Sequence, residues 1–216
     1  MNKNIRSFAR RIGKRLSESQ QKIMAEKLPA FLVNSDIPIE HLAKNRDVIL
    51  EIGIGMAEHF INQCKLSPDK FFIGCEPYLN GIANCLKLAE ENEITNFKLW
   101  PDDADLILKN IPESSLDKIY LLFPDPWPKT KQKKRRFGQI ERITILKNLL
   151  KPEGEFIFGS DIEDYTKDVL SIAISLGFLD NSNEGYASHE GYVQTKYHSK
   201  AIKEGREAKF LILRKL

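Results

Sequence analysis

The sequence predicts a doubly wound, mostly parallel α/β sheet. Three observations predict it. Short β-branched and aromatic runs alternate with helical patterns, a glycine turn follows the first run, and residues 118–123 form an almost continuous apolar stretch. Alternation of the two periodicities argues for strand–helix–strand units. The apolar stretch suits a central parallel strand covered on both faces.

A first helix is expected near Ser17, where Ser17-Glu18-Ser19-Gln20 fits a capping box; Met24, Leu28, Phe31 and Leu32 give its apolar face up to a disruption around Pro29. A linker through Pro38 leads to a strand over 47–52, the turn at Gly53–Gly55, a helix over 57–66 and a second strand over 70–75. A helix over 79–92, a short strand over 96–100 and a short helix over 103–109 follow. After the strand at 118–123 and a basic loop, residues 137–150 read as helix, 155–159 as strand and 162–176 as helix. The tail gives mixed signals over 185–197 and a final strand over 208–214.

Hydrophobic residues are 42% and charged residues 29% of the 216, which excludes a disordered or collagen-like chain. No apolar run approaches the ~18 residues of a membrane helix. The three cysteines offer no C-x-x-C spacing, and the four histidines are scattered with no metal-ligand spacing. A zinc hydrolase and a disulfide scaffold are therefore disfavoured, and a reducing, cytoplasmic setting with no metal is expected.

A net charge of +3 hides an asymmetry. Residues 1–17 carry six cations and residues 129–136 six more, neither segment holding an acid. Setting those twelve aside leaves 21 basic residues against 30 acids, a body of charge −9. Cationic segments on an acidic body point to a polyanionic partner, because clustered Lys and Arg release counterions from a phosphate backbone; two solvated loops are the plain alternative. The first segment also has the composition of an organelle transit peptide.

Ligands of doubly wound sheets bind beyond the carboxyl ends of the strands. Gly53, Glu76, Asp103, Asp125 and Asp161 all follow expected strands there. Gly53 and Gly55 make the first turn, and Glu76, 23 residues on from Gly53, can accept both ribose hydroxyls of a nucleoside. A dinucleotide fingerprint would place glycine at position 58, where Glu58 stands and would repel a pyrophosphate. Glu51 adds another negative charge before the turn. The acids suit a cationic cofactor without phosphate, and S-adenosylmethionine fits. Asp103 could serve its adenine amino group or simply cap a helix. Prolines at 124, 126 and 128 stiffen the loop that carries Asp125 and Trp127, with the basic segment directly after. A rigid carboxylate, an aromatic face and a phosphate clamp are what positioning one base requires.

Leu50-Glu51-Ile52-Gly53-Ile54-Gly55, Phe123–Lys129 with Lys133-Lys134-Arg135-Arg136, Gly159-Ser160-Asp161, and Arg6-Ser7-Phe8 with Arg11 and Gly13 resemble the motifs of bacterial tRNA (guanine-N7-)-methyltransferases over essentially the whole chain. The last of these argues against a cleaved transit peptide. The resemblance implies a seven-stranded, Rossmann-like class I methyltransferase domain over residues 46–216, with a basic arm and helix over 1–45. It implies a monomer or homodimer, with no membrane or metal, that methylates a guanosine in the variable loop of tRNA. It assigns Glu51, Gly53, Gly55, Glu76, Asp103 and Asp125 to S-adenosylmethionine, and Asp125 also to catalysis. Lys129, Asp161, Thr195, Lys196, Tyr197 and His198 fall on substrate-binding positions. Two departures stand out: His198 replaces the glutamate of the family's T-[KR]-[YF]-E, and Ala57 replaces a frequent turn glycine, a substitution expected to matter little because it adds only a methyl. Asp125-Pro126-Trp127 also partly resembles the D-P-P-[YFW] loop of exocyclic amino methyltransferases, and a noncatalytic RNA-binding protein on the same scaffold is the remaining rival.

Overall fold

A computed structural model describes residues 15–33 and 43–216. The Arg6-Ser7-Phe8 motif and most of the basic arm lie outside the described residues. Helix α1 (Glu18–Phe31) opens with the capping box: Gln20 N–H donates to Ser17 Oγ at 3.3 Å and Ser17 N–H donates to Gln20 Oε1 at 3.0 Å. The helix runs through Pro29 to Phe31, beyond the expected disruption. It packs on the sheet, with Phe31 stacked on Phe97 at 4.5 Å and Leu32 bridging Leu99.

The chain then alternates β1 (Val48–Ile52), α2 (Glu58–Leu66), β2 (Phe71–Cys75), α3 (Leu79–Glu91), β3 (Phe97–Trp100), α4 (Ala104–Ile107) and β4 (Leu116–Leu122). A 3₁₀ turn at Thr130–Arg135 leads to α5 (Ile140–Leu149), β5 (Leu150–Ser160), α6 (Glu163–Ser175), β6 (Phe178–Asp180), α7 (Lys196–Lys203) and β7 (Lys209–Lys215). Seven strands lie in the order β3-β2-β1-β4-β5-β7-β6. The first five are parallel, and β7 runs antiparallel to both β5 and β6.

Successive residues of a strand point to opposite faces, so the sheet builds two cores. Leu50, Ile52, Ile73, Ile119 and Leu121 face Leu146, Tyr165 and Val169 of α5 and α6. Ile49, Phe72, Tyr120 and Leu122 face Phe60, Ile82 and Leu86 of α2 and α3. Every residue of β1 and β2 is buried, as expected of central strands covered by helices. Cys64, Cys75 and Cys85 are free and buried in these cores, and burial pushes their thiols up.

Two elements escape the sequence pattern. Strand β6 has three residues, only one of them buried, and leaves no periodicity to find. Helix α7 buries only Ala201, so its apolar stripe is too thin to read; Thr195 caps it by accepting the His198 N–H.

Candidate active site at the strand-order reversal

The sheet order reverses between β1 and β4, where an α/β sheet opens a crevice beyond its strands' carboxyl ends. A cleft of about 1090 Å³, counting its open mouth, lies there.

At the β1 side, Gly53 N–H and Ile54 N–H both donate to the Cys75 carbonyl, and Gly53 and Gly55 turn with φ of 79° and 56°. Glu76, at the end of β2, braces this turn: Oε2 accepts Gly55 N–H at 2.8 Å and Oε1 accepts Tyr78 N–H at 2.9 Å. Burial raises the Glu76 carboxyl to about 7, against those two hydrogen bonds and with help from the charges of Asp125 and Glu51. Helix α3 begins tight against the same turn. A Cβ at Gly81 would stand 2.1 Å from the Gly55 carbonyl oxygen, so only glycine fits. Beyond β3, Asp103 Oδ1 caps α4 by accepting Asp105 N–H at 3.0 Å while the residue lines the cleft. Asp102, which the sequence did not single out, lines it too.

At the β4 side, Phe123 and Trp127 hold φ of 50° and 40° on either side of Pro124-Asp125-Pro126. Such backbone costs ~1–3 kcal/mol per residue and persists only where surroundings impose it. Arg136 braces this loop at Pro126. Its guanidinium lies 4.6 Å over the Tyr165 ring and donates to the Pro126 carbonyl at 2.8 Å, to Asp168 at 2.9 Å and to Asp164 at 3.1 Å. Arg136 is 1% exposed, so it is no part of a phosphate clamp, contrary to the sequence reading of all six cations. Lys133, partly exposed, pairs with Asp164 at 2.5 Å. Arg135 instead lies 4.9 Å over the Trp127 ring and lines the cleft, while Lys129, Lys131 and Lys134 are exposed. Arg142, buried, grips Asp105 through two bonds of 2.8 and 2.6 Å and joins Phe137 in the lining.

Of the expected site residues, Gly53, Gly55, Glu76, Asp103, Asp125 and Tyr197 meet in this cleft. The others do not line it. Glu51 is buried and bonded to His59 at 2.8 Å. Asp161 accepts from Arg206 Nε at 2.7 Å. Lys129 precedes the 3₁₀ turn, Thr195 caps α7, and Lys196 pairs with Glu58 at 3.7 Å. His198 stacks on Phe123 at 5.4 Å, with Nδ1 2.9 Å from the Tyr192 hydroxyl. Ala57 corrects an expectation: it is the residue before α2 with φ 65°, so its left-handed backbone, rather than an added methyl, is what glycine would change there.

The chain matches, over residues 45–211, a family described as "Putative methyltransferase". It is 39% identical over 219 residues to a tRNA (guanine-N(7)-)-methyltransferase of Rhizobium etli, covering 97% of this chain and 95% of the relative. One from Hyphomonas neptunium is 37% identical over 206 residues, covering 92% and 94%. The chain belongs to the tRNA (guanine-N7-)-methyltransferase family. A "Bifunctional methyltransferase" of Rickettsia conorii is 51% identical over 211 residues, and there the chain spans 97% of itself but 40% of the relative's length. Among solved structures, the 16S rRNA methyltransferase KamB superposes with a TM-score of 0.59 at 13% identity, over 94% of this chain and 97% of that one. This likeness extends the family's fold to methyltransferases of distant sequence. Among the described residues, no group of three or more His, Cys, Asp or Glu is placed to hold a metal, and no helix is long and apolar enough to cross a membrane.

Proposed function

We propose that this tRNA (guanine-N7-)-methyltransferase family member transfers the methyl group of S-adenosylmethionine to N7 of a guanosine in the variable loop of tRNA. One observation carries the reading. The nucleoside-type carboxylates Glu76 and Asp103 and the strained Asp125–Trp127 loop with Arg135 line one continuous cleft, so cofactor and base can meet inside it.

The lining fits the cofactor. It gathers Glu76, Asp102, Asp103 and Asp125 beside Ile52, Pro77 and Ala104, an acidic and apolar surround for a cationic nucleoside without phosphate. Bound there, the cofactor supplies a methyl group already activated by its sulfonium. Glu76 would take the ribose hydroxyls and Asp103 the adenine end. Guanine N7 presents an in-plane lone pair and carries no proton, so no side chain has to remove one. The work of the chain is then to hold the base in line and to offset the positive charge that develops on it. Asp125 would accept guanine N1–H and N2–H, which does both. Asp161, tied to Arg206, would be met only by substrate reaching toward β5. Lys129, Lys131 and Lys134 would meet phosphates.

Incubation with labelled methyl donor and unmodified tRNA, followed by digestion to nucleosides, should yield N7-methylguanosine. Label on an adenine or cytosine amino group would favour the rival amino methyltransferase reading, and tRNA binding without transfer the noncatalytic one. Size-exclusion with light scattering should give one or two chains per particle.

A further inference from the structure

Two histidines that lie 130 residues apart in the sequence come together behind the cofactor turn. His59, on α2, bonds Glu51 Oε2 through Nδ1 at 2.8 Å and His189 Nε2 through its own Nε2 at 3.2 Å. His189 Nδ1 lies 2.9 Å from the Glu190 carbonyl. A carbonyl only accepts, so His189 carries its proton on Nδ1 and, when neutral, accepts at Nε2. His59 Nε2 is therefore the donor. One further proton is shared between His59 Nδ1 and Glu51, which leaves the ring no freedom to turn.

The same helix holds the same segment twice more. Asn62 Nδ2 and Gln63 Nε2 both donate to the Gly191 carbonyl, at 3.0 and 2.8 Å. Gly191 has φ 70°, and a Cβ there would press to 2.8 Å from Leu66. Tyr192 continues the chain: its ring lies 5.8 Å from His59 and its hydroxyl reaches His198, which stacks on Phe123 at the cleft. Thr195 then starts α7, and Tyr197 lines the cleft over the glycine turn, 3.9 Å from where a Gly55 Cβ would stand.

We propose that His59 and His189 are positioning residues: their mutual bond latches the 189–198 segment to the cofactor turn and so fixes Tyr197 at the mouth of the cleft. Glu51 orients the latch from one side and the Glu190 carbonyl from the other. The segment that carries the expected substrate residues is thereby set by the helix that follows the cofactor turn.

His189→Phe keeps a ring but loses the acceptor, and leaves the Glu51–His59 pair intact. Its expected effect is a three- to tenfold rise in KM for tRNA, about the worth of one buried hydrogen bond, with kcat and cofactor affinity nearly unchanged. His189→Gln, which returns an acceptor, should recover most of it. In a Tyr197→Ala background the His189→Phe effect should vanish, since both act through one group. Additive effects in that cycle would overturn the proposal, as would a loss of thermal stability with KM unmoved. The kinetic arms rest on the proposed reaction, but amide hydrogen exchange does not. His189→Phe should speed exchange over 189–198 while sparing β1 and β2, and unchanged exchange would overturn the latch even in a protein that methylates nothing.

Discussion

At the cofactor end, Glu76 is held by the backbone N–H groups of Tyr78 and Gly55, 2 and 21 residues away, and the glycine turn is held by the Cys75 carbonyl of the adjacent strand. At the reacting end, the Pro126 carbonyl is held by a side chain, Arg136, which hangs in turn on Asp164 and Asp168 of α6. Backbone bonds between neighbouring strands come with the sheet. A side-chain tether from a remote helix must be built separately and can be removed by one substitution. The two ends should therefore fail differently.

The largest difference is expected at Arg136. Arg136→Ala removes a buried guanidinium that holds a strained loop, and truncating one partner of a buried ion pair costs ~3–5 kcal/mol. Asp164 and Asp168 are about half exposed and can rehydrate, so a smaller loss, at or below the foot of that range at ~2–3 kcal/mol, is expected in urea unfolding. Activity should fall further than stability accounts for, while cofactor affinity is kept. Equal loss of cofactor binding would show that the two ends are not separable.

The cofactor end should answer to pH instead. Glu76 titrates near 7 in the folded protein, above its ordinary carboxylate value. The native state therefore binds more protons than the unfolded one between about pH 4.5 and 7, so stability from this group is full at the acid side and is lost as pH rises through 7. The scale is up to ~3 kcal/mol. Glu76→Gln should flatten that slope. Because ribose hydroxyls donate to the ionised form, cofactor binding should release a proton and tighten with pH up to about neutrality. Calorimetry in buffers of different ionisation enthalpy measures it, and zero proton release would remove Glu76 from the ribose.

Gly81→Ala tests the same end sterically. Its methyl would enter the Gly55 carbonyl at 2.1 Å, so α3 must back away from the turn. Overpacking of this kind costs ~1–3 kcal/mol, and cofactor affinity should fall with it. Full cofactor affinity in a folded variant would mean that the turn adapts.

How legible each end was in the sequence follows from the same contrast. The glycine turn, Glu76 and the parallel strands are written in short patterns, because strand, turn and carboxylate are close neighbours in chain or sheet. The basic segment 129–136 reads as six equivalent cations, since nothing local marks Arg136 as buried or Lys133 as paired with Asp164. Those partners lie on α6, 28 to 32 residues later. The charge of α6 was visible, but which cation it would capture depends on how α6 packs. The meeting of His59 with His189, 130 residues apart, was hidden for the same reason. Gly81 could have been found: a glycine three residues into a helix that starts just after Glu76 is a signal of close approach.

The exposed cations sharpen the comparison from the other side. Lys134→Ala should leave stability within ~0.5 kcal/mol, as usual for a surface change. It should lower the slope of log K against log salt for tRNA by about one. Arg136→Ala should change that slope little until the loop itself is lost. If Arg136 and Lys134 lower the slope alike, the inward tether is not how Arg136 acts.

The smallest effect is expected at Ala57, where the two kinds of construction meet. Its φ of 65° costs an L-residue ~1–2 kcal/mol, which Ala57→Gly would relieve. Against this stand ~0.5–1 kcal/mol of added chain entropy in the unfolded state and ~0.8 kcal/mol for a buried methyl lost. The terms nearly cancel, so thermal unfolding should move by no more than ~0.5 kcal/mol. Ala57→Val, β-branched at a left-handed position, has no such compensation and should destabilise clearly. A loss above ~1 kcal/mol for the glycine variant would mean that packing of the methyl, fully buried here, outweighs the backbone at this turn.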